Sequence, residues 1–156
     1  MGADQKRTYL VVVDDSAESR VALRFAARRA SKTGGGVEVL GIVEPQDFVQ
    51  FGGVQAAIEQ EQRLRIEGVV SAAIGEIVDE SRLEANVIVQ QGEVVRTVRD
   101  YLDGRDEVAA LVLGAARSGS PGPLVAHFTG NDAGMLPCPV MIIPGSLTEE
   151  RLEQLS

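Results

Sequence analysis

Few side chains in this sequence are able to do chemistry, and their spacing limits what that chemistry is. Asp14-Asp15-Ser16 follows directly on an apolar run. Arg117, Ser118, Gly119 and Ser120 stand in a stretch of small residues from Gly114 to Pro123. His127 is the single histidine and Cys138 the single cysteine. On paper, Ser118 or Ser120 with His127 and Asp14 supplies the types of a nucleophilic triad, the imidazole as base and the carboxylate as its orienter. The local pattern argues against it. A nucleophile elbow needs G-x-S-x-G, and neither Gly114-Ala-Ala-Arg117 nor Ser118-Gly119-Ser120 supplies it. One His and one Cys cannot build a closed zinc site. Asp103 and Asp106 read as a solvated turn. Cys138, between Pro137 and Pro139, reads as buried and inert. For His127 the alternatives are a packed or surface side chain, a phosphate contact, or a base.

These groups must be positioned by alternating strands and helices. Tyr9 to Val13 is a continuous β-branched apolar run, the mark of a strand covered on both faces. Ser16 or Asp15 is a good N-cap, and apolar residues at Val21, Leu23, Phe25, Ala26 and Ala30 then recur near helical period until Gly34-Gly35-Gly36. Val37–Val43 reads as the second strand and 44–54 as a loop. A long helix over 55–80 would present Ile58, Leu64 or Ile66, Val69, Val70, Ala73, Ile77 and Val78. Asn86–Gln90 is the third strand, Val94–Leu102 a short helix, Val108–Leu113 the fourth strand. Leu124–Leu136 reads as a helix despite Gly130 and Gly134, and Pro139–Ile143 as the last strand. Residues 147–156 form a charged tail with one or two helical turns at most. Strands joined by helical crossovers imply a single-domain open parallel sheet with helices on both faces. Ligands of such sheets sit outside the carboxyl ends of the strands, where the order reverses. That rule points to Asp14-Asp15-Ser16, to Val43 and to the loop from Gly114.

Composition excludes several functions. The chain has 156 residues, enough for one domain, and 44% of them are hydrophobic. Lys plus Arg number 15 and Asp plus Glu 23, a net charge of −8. Such a surface repels phosphate backbones and anionic membranes, so neither nucleic acid nor membrane is an expected partner. No stretch approaches a membrane span of about 18 apolar residues. No secretory leader is apparent, and the lone cysteine fits a reducing compartment, so a cytoplasmic location is expected.

Four segments carry a family resemblance. Val11-Val12-Val13-Asp14-Asp15-Ser16 looks like an opening strand with a V-D-x-S turn, and Gln91-Gly92-Glu93-Val94 like a G-x-P/A-x segment before a helix. Ala110-Leu111-Val112-Leu113-Gly114 looks like a strand ending in glycine, and Pro137-Cys138-Pro139-Val140 like a P-C-P-V strand opening. In this order the sequence resembles the universal stress protein family over residues 7–144, leaving 1–6 and 145–156 as tails. The resemblance implies a five-stranded sheet of order 3-2-1-4-5 and a homodimer through the last strand. It also implies ATP or a related nucleotide as ligand, with Mg²⁺ arriving only with the nucleotide. ATP-binding members carry G-x2-G-x9-G-(S/T) after the fourth strand. Here Gly114 fills the first place, Arg117 stands at the second glycine, and Ala126-His127 stands where G-S would be. Pro121 and Pro123 remove two N–H donors. Two readings of the loop stay open. Ser118-Gly119-Ser120 and Gly122 form a different anion nest with Arg117 as a phosphate fork, or Arg117 covers the old phosphate site and pairs with Asp14 or Asp15. Asp14 matches a residue near the adenosine and Val43 one contacting the base; alternatively Asp14 holds the turn through Ser16, and Val43 only ends a strand. The candidate nucleotide site is thus Asp14, Asp15, Ser16, Val43, Gly114, Arg117, Ser118, Gly119 and His127. The leading function is a stress-response binding module with a degenerate nucleotide site, at most a weak ATPase. The alternatives are a scaffold dimer acting through protein partners and, last, a small-molecule hydrolase.

Overall fold

The computed structural model describes residues 7–44, 52–81 and 85–156. Five strands form one parallel sheet: β1 Thr8–Val12, β2 Gly36–Val43, β3 Ala85–Gln91, β4 Val108–Ala115 and β5 Val140–Pro144. Their spatial order is β3-β2-β1-β4-β5. β1 is the central strand, and it pairs in parallel with β2 on one side and β4 on the other (Val11 opposite Val39 and Val112). The direction of crossover therefore switches at β1 and β4, as the alternation of elements requires.

Both faces of the sheet are covered, which explains the unbroken apolar runs. Side chains alternate with period two. Tyr9, Val11 and Val13 enter a core with α1 (Ala17–Thr33) and Val70 of α2 (Gly52–Ser81). Leu10, Leu111 and Leu113 enter a second core with Val98, Tyr101 and Leu102 of α3 (Val94–Leu102) and Val125 and Phe128 of α4 (Pro123–Phe128). α1 lies close on the sheet because its inner face is mostly alanine: Ala22, Ala26, Ala27 and Ala30 are all buried. Gly34 ends it in the left-handed region at φ 72°, its N–H bonded to the Ala30 carbonyl.

In the second core, Glu38 of β2 is buried and accepts the Tyr101 hydroxyl, while the Arg105 guanidinium lies 3.9 Å over the Tyr101 ring. Burial first, and then the Glu38 carboxylate, push the Tyr101 phenol far up. A buried carboxylate thus keeps a donor.

Several expectations need correction. The helix read over 124–136 stops at Phe128. Thr129 Oγ1 bonds back to the Val125 carbonyl at 2.7 Å, the chain turns through Gly130, and only a short 3₁₀ turn, Ala133–Met135, follows. Leu136 then packs against the second core with Cys138 and Val140. On α2, Leu64 is 58% exposed and Ile66 takes the inward place, seated against Gly41, where a Cβ would overlap the Ile66 methyl. The side chains of Ala73, Ile77 and Val78 lie outside the described residues, as do 1–6 and the 45–51 part of the expected loop; 52–54 already belong to α2. The segment read as a charged tail with one or two helical turns is the two-turn α5 (Glu149–Leu155), and it is docked: Leu152 is buried in the first core, and Glu149 and Glu153 pair with Arg24 and Arg28 of α1.

Cys138 is half-buried, and burial pushes its thiol up, with the Leu111 backbone N–H pulling partway back. The thiolate is therefore scarce at neutral pH. Iodoacetamide at pH 7 should alkylate the folded protein about tenfold more slowly than the urea-unfolded chain. Equal rates would show that the thiol is neither shielded nor protonated as its setting dictates.

Candidate functional site

The tips of β1 and β4 point the same way and open a crevice. Val12, Val13 and Asp14 line one bank, followed by Ser16, Glu18 and Ser19 at the start of α1. Leu113 and Gly114 line the other, with Pro121, Gly122, Pro123, Leu124 and Val125 above them; Ile42 and Val94 close the end. The cavity is about 110 Å³. An apolar cavity of about 150 Å³ takes a benzene ring, whereas sites for whole drug-sized ligands run to roughly 300–1,000 Å³. Enclosed space here suits one ring-sized moiety, with the rest of a larger ligand lying in the open.

The first bank is a tight polar turn. Ser16 caps α1, its Oγ accepting the Ser19 N–H at 3.2 Å. Asp14 Oδ1 accepts both the N–H of Ser16, at 2.8 Å, and its hydroxyl. Ser19, buried, completes the turn. Its Oγ accepts the Asp14 N–H at 3.3 Å, and its one proton is shared between the carbonyls of Asp14 at 2.9 Å and Ser16 at 3.0 Å. Asp14 thus holds the turn with one oxygen while the residue remains exposed. Ser19 was not among the expected site residues; a serine at that place does not complete the capping-box pattern, so the sequence carries no signal for it.

Gly114 serves close packing. A Cβ there would overlap the Glu18 carbonyl and stand 3.0 Å from the Ser19 nitrogen. Gly145, after β5, is similarly confined, with a Cβ 2.8 Å from the Ala115 oxygen and 2.9 Å from Glu18 Cβ. The first turn of α1 rests on these two bare backbones, and that contact brings Ser16 and Ser19 to the crevice.

The loop after β4 folds on itself. Ala116 N–H bonds the Pro121 carbonyl at 3.3 Å, Gly122 N–H reaches Ser120 Oγ at 3.5 Å, and Gly119 and Gly122 take φ values of 74° and 114° that favour glycine. Arg117, Ser118, Gly119 and Ser120 are exposed and do not line the crevice. The expected pairing of Arg117 with Asp14 or Asp15 does not form among the described residues, because the loop closes through its own backbone.

The remaining candidates fall elsewhere. Asp15 is exposed beside the crevice. Val43 is buried and lines a separate cavity of about 180 Å³ with Ala56, Glu59, Gln60, Arg63 and Gln91. His127 sits half-buried on α4, Nε2 2.9 Å from Asp132 Oδ2, which also takes Arg99 Nη1 at 3.2 Å. The carboxylate beside His127 is thus Asp132 and not Asp14, and the approach is not aligned as a hydrogen bond, so Ser118, Ser120, His127 and Asp14 do not form a triad. Asp14, Ser16 and Gly114 are the expected residues that the fold brings together. Among the described residues no cluster of three or more metal-ligating side chains occurs, and no helix is long and apolar enough to cross a membrane.

The sequence profile of the universal stress protein family matches residues 6–144. No curated protein matches the chain by sequence. Among solved structures, the chain is similar to the universal stress protein UspA from Lactobacillus plantarum, at 17% identity and TM-score 0.75, over 91% of this chain and 99% of that one. It is similar to the universal stress protein from Archaeoglobus fulgidus in complex with dAMP, at 22% identity and TM-score 0.60, over 88% and 97%. A universal stress protein family protein from Arabidopsis thaliana with AMP bound matches at 14% identity and TM-score 0.60, over 88% and 90%.

Proposed function

The chain belongs to the universal stress protein family, and from that premise we propose that it is a regulatory binding module whose β1–β4 crevice takes an adenine nucleotide. The observation that carries this reading is the crevice itself. It lies at the switch point of a parallel sheet, where such folds bind ligands. One bank carries the Asp14–Ser16–Ser19 turn, and the opposite bank and its end are mostly apolar. An apolar slot suits a base or a sugar face, and Asp14, with one oxygen engaged by Ser16, keeps another for a ligand hydroxyl. Two fold neighbours are complexes with dAMP and AMP. On this reading binding rather than turnover is the activity. Mg²⁺ would come only with the phosphates, and the cytoplasm is the setting.

Isothermal titration with AMP, ADP and ATP tests it: heat saturating with one site per chain is expected for at least one of them. No heat from any at millimolar ligand would remove the nucleotide reading.

A second reading rests on a different observation. β5 is an edge strand, and its Ile142 is 39% exposed. Exposed apolar edges pair unless covered, and a symmetric pairing with a second copy would cover this one. We propose a homodimer through β5, available to protein partners with or without nucleotide. Light scattering at micromolar concentration should give twice the chain mass, and Ile142→Lys should return the monomer. A wild-type monomer would sink the idea.

A further inference from the structure

Resting on the reading of the crevice as an adenine-ligand site, we infer that it discriminates against the phosphate chain, so that affinity falls from adenosine through AMP to ATP. Three features that hold phosphate chains are cationic side chains, free backbone N–H groups at a glycine turn, and a helix start that no carboxylate opposes. Among the described residues the first is missing from the lining and the second is largely engaged; at α1 carboxylates answer the third, while the short α4, whose start also lines the crevice, carries no acidic residue in its first turn.

Among the described residues, those lining the crevice include two carboxylates, Asp14 and Glu18, and no Lys, Arg or His. Asp15 stands exposed beside them. Glu93 precedes the lining residue Val94, and its carboxylate is held by the N–H groups of Val95 at 3.0 Å and Arg96 at 2.9 Å. Nearby cations are engaged elsewhere or turned to solvent. Arg96 and Arg117 are exposed, and Arg99 pairs with Asp132.

Several backbone donors of the turn and the loop are already engaged. Pro121 and Pro123 have no N–H. Those of Ala116 and Gly122 are bonded within the loop. Those of Ser16 and Ser19 are bonded within the Asp14 turn. The positive end of α1 therefore meets Asp14, Asp15 and Glu18, which answer its dipole before any ligand arrives. A phosphate chain laid along this bank would meet carboxylates where it needs donors. A nucleoside carries hydroxyls that can donate to Asp14 and brings no charge.

Titrating the whole chain with adenosine, AMP and ATP separates the possibilities. Adenosine should bind at least about tenfold more tightly than ATP, a gap of about 1.4 kcal/mol. Because the discrimination is repulsive, raising NaCl from about 0.05 to 0.5 M should narrow the gap, where a phosphate site would lose ATP affinity instead. The double substitution Asp15→Asn with Glu18→Gln should also narrow it. ATP binding as tightly as adenosine, or weakening relative to it with salt, would overturn the selectivity and leave the nucleotide site standing. Silence from all three ligands would remove the site itself.

Discussion

Replacing Gly114 with alanine is expected to destabilise the protein by about 3 kcal/mol, the upper end of what overpacking costs. The reason is the identity of the obstacle. The new methyl would meet the carbonyl of Glu18 and the nitrogen of Ser19, which are backbone atoms of the first turn of α1. A flexible side chain could swing away; a helical backbone must move as a unit. In thermal melts followed by circular dichroism, Tm should fall by about 6–12 °C. Ligand affinity should fall further than stability requires, because the displaced turn carries Ser16 and Ser19. Gly134→Ala is the control, since a Cβ there meets nothing within 4 Å. It should stay within about 0.5 kcal/mol of the parent. A Gly114→Ala protein melting with the parent would show that α1 does not sit on β4 as described.

The second large effect is expected at Leu152. Leu152→Ala should cost about 3 kcal/mol, as other buried leucine truncations do. The side chain is 2% exposed, within the core shared by α1 and the sheet. The pairs joining Glu149 to Arg24 and Glu153 to Arg28 lie on the surface, with the glutamates 69% and 60% exposed. Such pairs contribute about 0–1 kcal/mol each and fade in salt. The apolar anchor should therefore dominate. High salt should leave the urea midpoint nearly unchanged, while Leu152→Ala lowers it strongly. If salt does the greater damage, charge and not burial holds α5 in place.

Much of the fold could be read from residue order because its physics is local. β1 and β4 announce themselves as unbroken apolar runs, the mark of a doubly covered strand, and β2 as an apolar run interrupted by Glu38 and Gly41. The rule for parallel sheets then places a ligand at their carboxyl ends and picks out Asp14, Ser16 and Gly114. Leu64 and Ile66 illustrate what local pattern leaves open. Two positions apart on a weakly amphipathic helix, both fit the stripe, and the bare backbone of Gly41 on another element decides for Ile66. α4 shows competition of another kind. Leu136 suits a helical face, but it is drawn to the core beside Cys138 and Val140, so the helix ends early. The upper bank of the crevice, Pro121 to Val125, depends on how one loop closes on itself. The motif spacing pointed instead to Arg117, Ser118 and His127. Leu152 was hidden because Leu147, Leu152 and Leu155, scattered among charged residues, look like a tail.

The seat of α1 on Gly114 and Gly145 also bears on how this pocket could be retuned. Neither position tolerates even a methyl without displacing backbone, so that wall offers no place to graft a new contact. Variation in this pocket is better placed on the other side, at Pro121, Pro123 and Leu124, which line the crevice at and just before the start of the short α4. A library confined to those three sites should yield folded variants with altered specificity, whereas one that includes the glycines should mostly yield proteins that fail to fold.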